Sequence, residues 1–152
     1  MVEISKLHDV AEFAATIADR CWHAWWTDTE VTLAEYQSGI EEMRQLNRIP
    51  IAFVAHHDET YIGSVLLIEN DLRARPNYTP WIAALWVEPI NRRNGIAFTL
   101  IEAARLQAKA LGYSNCYLCA NEKNSSYYSA RGFRLIEADV EGLNVLSISS
   151  HE

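Results

Sequence analysis

A chain of 152 residues, 49% of them apolar, is long enough to bury a core and short enough to form one domain, residues 1–152. Its formal net charge of −7 argues against nonspecific nucleic-acid binding, which draws on Lys and Arg against phosphates, and favours a cationic partner. The sequence has no run of about eighteen apolar residues, no basic-then-apolar leader and no repeat, so a soluble, cytoplasmic protein with no membrane partner is expected.

Val2 to Leu7 alternates as a short first strand. Val10, Phe13, Ala14, Ile17, Cys21, Trp22 and Trp25 then recur at helical spacing. Thr32-x-x-Glu35 reads as a capping box, followed by a second amphipathic stripe through Leu33, Tyr36, Ile40 and Met43 that Pro50 ends. Ile51 to His56 and Tyr61 to Glu69 are apolar, partly β-branched runs, joined by His57-Asp58-Glu59-Thr60, and predict an antiparallel hairpin. Asn70 to Pro80 is a loop, and Trp81 to Val87 a strand covered on both faces. Gly95 to Leu111 is helical, with Gly112 placed to stop it. A crossover helix returns the chain in the same direction, so Asn115 to Ala120 is predicted to run parallel to the strand before it. A short helix around Asn124 to Arg131 stops at Gly132. Phe133 to Glu137 and Leu143 to Ser149 then form a hairpin around Glu141-Gly142.

Two segments carry chemistry. In Trp86-Val-Glu-Pro-Ile-Asn-Arg-Arg-Asn-Gly-Ile-Ala97 an apolar strand ends in a basic, glycine-containing turn that opens a helix. The first N–H groups of a helix lack internal partners and the macrodipole is positive there, so such a turn suits a phosphate. Arg92 and Arg93 add formal charge, and Gly95 lets an anion reach the backbone. An ordinary turn with two solvated arginines is the alternative. Neither a dinucleotide fingerprint nor a nucleotide P-loop is present. The second segment is Asn121-x-x-Asn124-x-x-Tyr127-Tyr128-x-x-x-Gly132-Phe133.

Taken together, Arg92-x-x-Gly95-x-Ala97 after Val87-x-Pro89 resembles the pyrophosphate loop of the GNAT-type N-acetyltransferase superfamily, Gln/Arg-x-x-Gly-x-Gly/Ala. The later segment resembles that family's Asn-x-x-Ala-x-x-apolar-Tyr-x-x-x-Gly-Phe block. The likeness extends more loosely from Ile51 to the C-terminus, including Asp71 and Thr79-Pro80-Trp81, and is weak over the preceding segment. It implies an α/β (mixed α+β) fold, a GNAT-like mixed and mostly antiparallel sheet of about seven strands flanked by about four helices. The strands on either side of the crossover would splay apart.

The resemblance also implies acetyl-CoA as cosubstrate. The amides of Arg93, Asn94, Gly95, Ile96 and Ala97 would cradle its pyrophosphate, with the Arg92 side chain alongside. Backbone groups of Leu85, Trp86 and Val87 would pair with the pantetheine as with an added strand. Family members usually carry Gly where this chain has Arg93. Asn121 would bond the coenzyme, or cap the helix that follows it. Tyr128 holds the family's general-acid position, and a phenol with pKa near ~10 keeps its proton at neutral pH. Tyr127 falls on the family's apolar position and is expected to pack.

A general base is harder to place. Trp81 and Ala83, where some relatives carry titratable groups, accept no proton, which leaves Asp71 and Glu69 as catalytic candidates ahead of Glu88. Cys116-x-x-Cys119 lies on a strand, where residues three apart face opposite ways, so a metal or redox pair is not expected. His56 and His57 likewise point apart, and no metal site is expected. His23 and the cluster Trp22, Trp25, Trp26 and Trp81 form core, or wall a cationic substrate's pocket. The expected function is direct acetyl transfer to a primary amine of a small molecule or peptide, with the amine's class open. A non-catalytic acyl-CoA-binding or sensing module and a coenzyme-free partner-binding domain are the rivals. The family often dimerises, which leaves a homodimer among the expected states.

Overall fold

The structure, a computed structural model, describes residues 1–150. Its strands are β1 (Glu3–Lys6), β2 (Ile51–His57), β3 (Thr60–Ile68), β4 (Trp81–Val87), β5 (Asn115–Ala120), β6 (Arg134–Val140) and β7 (Leu143–Ser149). Its α-helices are α1 (Ala14–Trp25), α2 (Leu33–Glu41), α3 (Ile96–Ala110) and α4 (Glu122–Ser129). The strands form one sheet in the order β1-β2-β3-β4-β5-β7-β6. Only β4 and β5 run parallel; the other neighbours are antiparallel, so the mixed, mostly antiparallel sheet expected from the sequence is present.

The period-two alternation of the strands sorts the core onto two faces. Ile51, Phe53 and Ala55 of β2 pack with Leu100, Ile101 and Ala104 of α3. Ala52 and Val54 face the other way, onto Ile17 and Cys21 of α1 and Ile40 of α2. A sheet covered on both faces explains why β2 and β3 read as continuous apolar runs. Each fully buried aliphatic side chain contributes about 1.5–3 kcal/mol. A third cluster joins Leu72, Trp81, Val140 and Val145 beneath the loop that precedes β4.

Local chemistry sets the helix ends. Thr32 Oγ1 accepts from the Glu35 N–H at 3.1 Å and Glu35 Oε1 from the Thr32 N–H at 3.0 Å, the expected capping box, which stabilises α2 by about 1 kcal/mol. Met43 lies beyond the end of α2, its N–H bonded to the Ile40 carbonyl. Leu7 sits in a 3-10 turn rather than in β1, and Val10 precedes another such turn before α1 begins. At the other end, β6 runs past Glu137 to Val140. Register shifts on either side of Glu137 and a left-handed Asp139 (φ 53°) break the alternation there. Between Ala120 and β6 the chain crosses through α4, so β7 and not β6 becomes the neighbour of β5.

The departure from regularity that matters most lies in the middle of the sheet. β4 and β5 are registered only at Trp81 opposite Tyr117, with the Tyr117 N–H donating to the Pro80 carbonyl at 3.0 Å. Beyond that bridge the strands part. β4 carries a bulge where the β3–β4 register shifts, with Ala84 left-handed at φ 52°, and a bulge bends and further twists the strand that holds it.

Gly63 of β3 faces the end of β4 so closely that an added Cβ would lie 2.7 Å from the Trp86 carbonyl oxygen, whereas one on Gly39 of α2 would meet nothing within 4 Å. Gly63→Ala is therefore expected to destabilise by about 1–3 kcal/mol. Gly39→Ala should stabilise by about 0.5–1 kcal/mol through helix propensity. Urea melts of the two variants beside the parent chain should move in opposite directions.

Candidate active site

The turn between β4 and α3 leaves a set of donors unpaired. A 3-10 turn at Pro89–Asn91 is closed by the Asn91 N–H on the Glu88 carbonyl and the Arg92 N–H on the Pro89 carbonyl. The first bond of α3 runs from the Thr99 N–H to the Gly95 carbonyl at 3.1 Å. Among the described residues, nothing in the chain accepts from the N–H groups of Arg93 through Phe98. Gly95, the N-cap, is left-handed at φ 77°, and the first turn carries no acidic side chain, unlike α2 with Glu35. Arg93 is also left-handed, at φ 68°, a conformation that costs a residue with a Cβ roughly 1–2 kcal/mol. The left-handed turn ahead of the helix is thus formed here by an arginine.

These donors face a cleft of about 670 Å³ whose walls include Leu85, Trp86, Val87, Arg92, Ile96 and Ala97. Arg93 and Gly95 also line it; Asn94 does not, its side-chain amide instead donating to the Asn91 carbonyl. Arg92 folds back over the cleft wall. Its Nε donates to the Val87 carbonyl at 2.8 Å and its guanidinium lies 4.7 Å from the centre of the Trp86 ring. Trp86 is held further by Nε1–H on Glu88 at 3.0 Å and by Trp25 edge-on at 6.2 Å. Glu88 also receives Arg20 Nε at 2.7 Å, so its carboxylate is committed to tying α1 to β4.

Tyr127 and Arg131 close the far wall, the guanidinium 3.5 Å above the phenol ring. Tyr127 packs, as expected, but against Tyr128 at 5.2 Å and Arg131 on the cleft wall. Successive residues on a helix diverge by about 100°, and it is Tyr128 that turns onto the core, edge-on to Phe133 at 5.7 Å. Arg131 carried no sequence signal beyond its helical i+4 spacing from Tyr127.

A second cavity, of about 910 Å³, adjoins the first, and Leu85 at the β4 bulge lines both. It holds Tyr128, Asp71, Cys119 and Asn121 together, with Trp25 and Trp26 on its rim. The Tyr128 hydroxyl has no partner among the described residues, and burial pushes its pKa up, aided by Tyr127 and Cys119. Asp71 is open to the cavity by surface area yet enclosed by its walls, and that desolvation raises its carboxyl above the usual range, although a Cys119 thiol donating at 3.3 Å works against the shift. Burial, with Asp71 beside it, pushes the Cys119 thiol up to about 12, so it carries almost no thiolate at neutral pH. Cys116 lies on the opposite face, buried in the core, its thiol also pushed up to about 12 by burial.

Other candidates are placed elsewhere. Glu69 is exposed at the end of β3 and lines neither cavity, because alternation past Ile68 turns it outward. Asn121 lines the second cavity and also caps α4, its Oδ1 accepting from the Asn124 N–H at 2.8 Å. Trp22 donates to the Val31 carbonyl, Trp81 is fully buried, and neither reaches the cavity. His23 is exposed and bonded to the Asp19 carbonyl. His56 is buried between Ser5 and the Asp58 carbonyl. Among the described residues, no three His, Cys, Asp or Glu side chains converge as metal ligands, and no helix is long and apolar enough to cross a membrane.

The model of the acetyltransferase (GNAT) family matches residues 12–133. The chain belongs to that family. No curated protein matches it by sequence. Among solved structures, this GNAT-family chain is similar to an acetyltransferase from Streptococcus agalactiae, with 20% identity over 97% of this chain and 98% of the other and a TM-score of 0.71. It is similar to an aminoglycoside 6′-N-acetyltransferase complexed with coenzyme A, at 14% identity, 97% of each chain and a TM-score of 0.75. It also resembles N-acetylglutamate synthase from Neisseria gonorrhoeae complexed with coenzyme A and L-arginine, at 18% identity over 99% of this chain but 34% of that one, with a TM-score of 0.71. At these identities the likeness is one of fold.

In this GNAT-family chain the loop that supplies Asp71 is anchored from β6. Arg75 grips Glu137 through two bonds, of 2.8 and 2.7 Å, and the Tyr78 hydroxyl adds a third at 2.6 Å. Arg75 and Tyr78 hold the Glu137 carboxyl at about 2, against an ordinary 4.5. A carboxyl lowered on folding adds stability that is complete above its unfolded value and is lost as pH falls through the folded one. Glu137→Gln should therefore lower the urea midpoint at pH 6, and the gap to the parent should narrow as the pH is taken from about 4.5 toward 2. A gap independent of pH would refute the assignment.

Proposed function

We propose that the protein is an acetyl-CoA-dependent N-acetyltransferase that transfers the acetyl group directly to a primary amine. The observation that carries this reading is that the two cavities share Leu85 of β4 as a wall, beside the gap where β4 leaves β5. One cavity presents the unpartnered N–H groups at the start of α3, and the other holds Tyr128 and Asp71. Solved relatives of the same fold are complexed with coenzyme A, which supports the same occupant here.

The residues present fit that molecule. The amides of Arg93 to Phe98 suit a diphosphate, and Arg92 and Arg131 add charge at the same mouth. The β4 edge from Ala83 to Val87, unpaired toward β5, offers main-chain groups to an amide-bearing arm. When bound, the cosubstrate supplies an activated thioester carbonyl. In the chain's own part of the reaction, Asp71 takes the proton that the amine loses as its nitrogen bonds to the carbonyl carbon. Tyr128 gives its proton to the sulfur as the carbon–sulfur bond breaks, and solvent restores both groups. An enclosed phenol whose pKa is raised remains an acid at neutral pH. Cys119 and Cys116, held as thiols, form no acyl intermediate. An amine substrate, no nucleic acid, no membrane, a cytoplasmic site of action and a homodimer complete the proposal.

Tyr128→Phe is expected to lower turnover about ten-fold or more, while calorimetry shows coenzyme A affinity within a factor of about two. Unchanged turnover would remove Tyr128 from the mechanism. A base must be ionised to work, so activity should fall as pH drops through the raised Asp71 value, and Asp71→Asn should abolish that acid limb of kcat/KM. Tight coenzyme binding without amine-dependent thiol release from any acceptor would leave the non-catalytic binding module in place of the enzyme.

A further inference from the structure

The cavity beyond the β4–β5 gap is lined by one anion, Asp71, and one cation, Arg73, so its ionised walls sum to zero. That balance is unexpected in a chain of net charge −7. A polyamine or aminosugar with several ammonium groups needs several carboxylates, and this cavity has one. The rest of the lining is mainly apolar and aromatic: Trp26 and Tyr36 lie with ring centroids 5.6 Å apart, and Trp25, Met43 and Ile68 continue the wall.

Arg73 has no hydrogen bond or ion pair among the described residues. Of the other arginines near the two cavities, Arg93 at the mouth of the first is likewise unbonded, whereas Arg20 is engaged with Glu88, Arg75 with Glu137, Arg92 with the Val87 carbonyl and Arg131 with Tyr127; Arg73 is the one arginine on the second cavity. The loop nevertheless fixes where Arg73 emerges. Leu72 is buried in the cluster under β4, the Arg75 N–H closes a turn on the Leu72 carbonyl at 2.9 Å, and the Asn70 amide bonds the Arg75 carbonyl at 3.0 Å. With Leu72 held inward, Asp71 sits enclosed beside Cys119 and Arg73 stands at the exposed rim. Guanidinium is a forked donor that matches a carboxylate.

We infer that the acceptor is an amine that also bears a carboxylate, an α-amino acid with an apolar or aromatic side chain, whose amine is met by Asp71 and whose carboxylate is met by Arg73. This rests on the acetyltransferase reading of the site. A zwitterion is neutral overall, so the acidic surface neither attracts nor repels it, and selection falls to this local pair.

The test is coenzyme A thiol release with matched acceptors: phenylalanine against phenethylamine and phenylalaninamide, tryptophan against tryptamine, and spermidine as a polycation. Rates are normalised to the neutral-amine fraction. The carboxylated member should exceed its partners in kcat/KM by about ten-fold or more, the range of a charge-assisted contact. Arg73→Ala should bring that ratio close to one and Arg73→Glu should invert it, with thermal shifts by coenzyme A showing that both variants fold. Equal or better use of the decarboxylated amines, a preference for spermidine, or a ratio indifferent to Arg73→Ala would overturn the inference while leaving acetyl transfer standing. Absence of release with every amine would remove both.

Discussion

The Tyr117 N–H bonds to the Pro80 carbonyl, and past that bond the central strands of the sheet cease to be neighbours. A strand that leaves its partner exposes main-chain donors and acceptors, which a buried sheet interior does not tolerate. The parting is stable here because it opens onto a cleft and because its apex is clamped. Tyr78 stacks on Tyr117 at 4.7 Å with rings nearly parallel, Trp81 tilts against both, and the Trp81 indole N–H reaches the Tyr78 carbonyl. The clamp sits at one end of the gap, so the gap widens in one direction, toward Val87 and Ala120. The end of β5 leads directly into α4, and that of β4 reaches α3 through the 3-10 turn at Pro89–Asn91. Helix N-termini, unpaired strand edge and the side chains of Tyr128 and Asp71 are brought together around one missing stretch of sheet pairing.

The charges follow the same geometry. Against an acidic whole, Arg92, Arg93 and Arg131 gather at the mouth where the α3 amides are bare. Arg92 is aimed by its own bond to the last carbonyl of β4, so the strand that opens the gap also positions the cation at its mouth. Asp71, by contrast, comes from a loop, yet that loop is pinned to β6 through Glu137 and to the core through Leu72. Both sides of the site therefore rest on regular elements, as a site that must hold two reactants in register requires.

How much of this was legible in the sequence depends on whether the signal was local. The helix of α3, Gly112 at its stop, the capping box and the apolar run of β4 are short-range patterns, and they stand where the sequence puts them, save that Gly95 caps α3 rather than beginning it. Arg92, Gly95, Ile96, Ala97, Leu85 and Tyr128 were legible in the same way and line the two cavities. What could not be read depended on direction. Glu69 and Asp71 lie two residues apart, both past the end of β3 at Ile68; Glu69 still follows the strand's alternation outward, whereas loop anchoring by a distant Glu137 places Asp71. Tyr127 and Tyr128 are adjacent phenols on one helix, and only the packing of Phe133 beneath α4 decides which turns inward. Arg73 and Arg131 belong to no local pattern; only the tertiary structure puts them on the cavity walls.

Left-handed residues with side chains separate ordinary strain from strain that the site requires. Asp58 and Glu141 sit in tight hairpin turns, where positive φ matches the twist of the flanking strands and short polar or charged residues tolerate it. Ala84 and Arg93 have no such excuse: one is in mid-strand, the other in the turn that opens α3. Each costs roughly 1–2 kcal/mol and persists because its neighbours over-determine it. The Ala84 carbonyl is met by the Cys21 thiol of α1 at 3.8 Å, and Arg93 is bracketed by Arg92, tied to Val87, and by the left-handed Gly95. Ala84 lies in the part of β4 that has left β5, and Arg93 lies among the unpaired amides that precede the first bond of α3. The two strained residues thus lie at the two places where regular pairing stops.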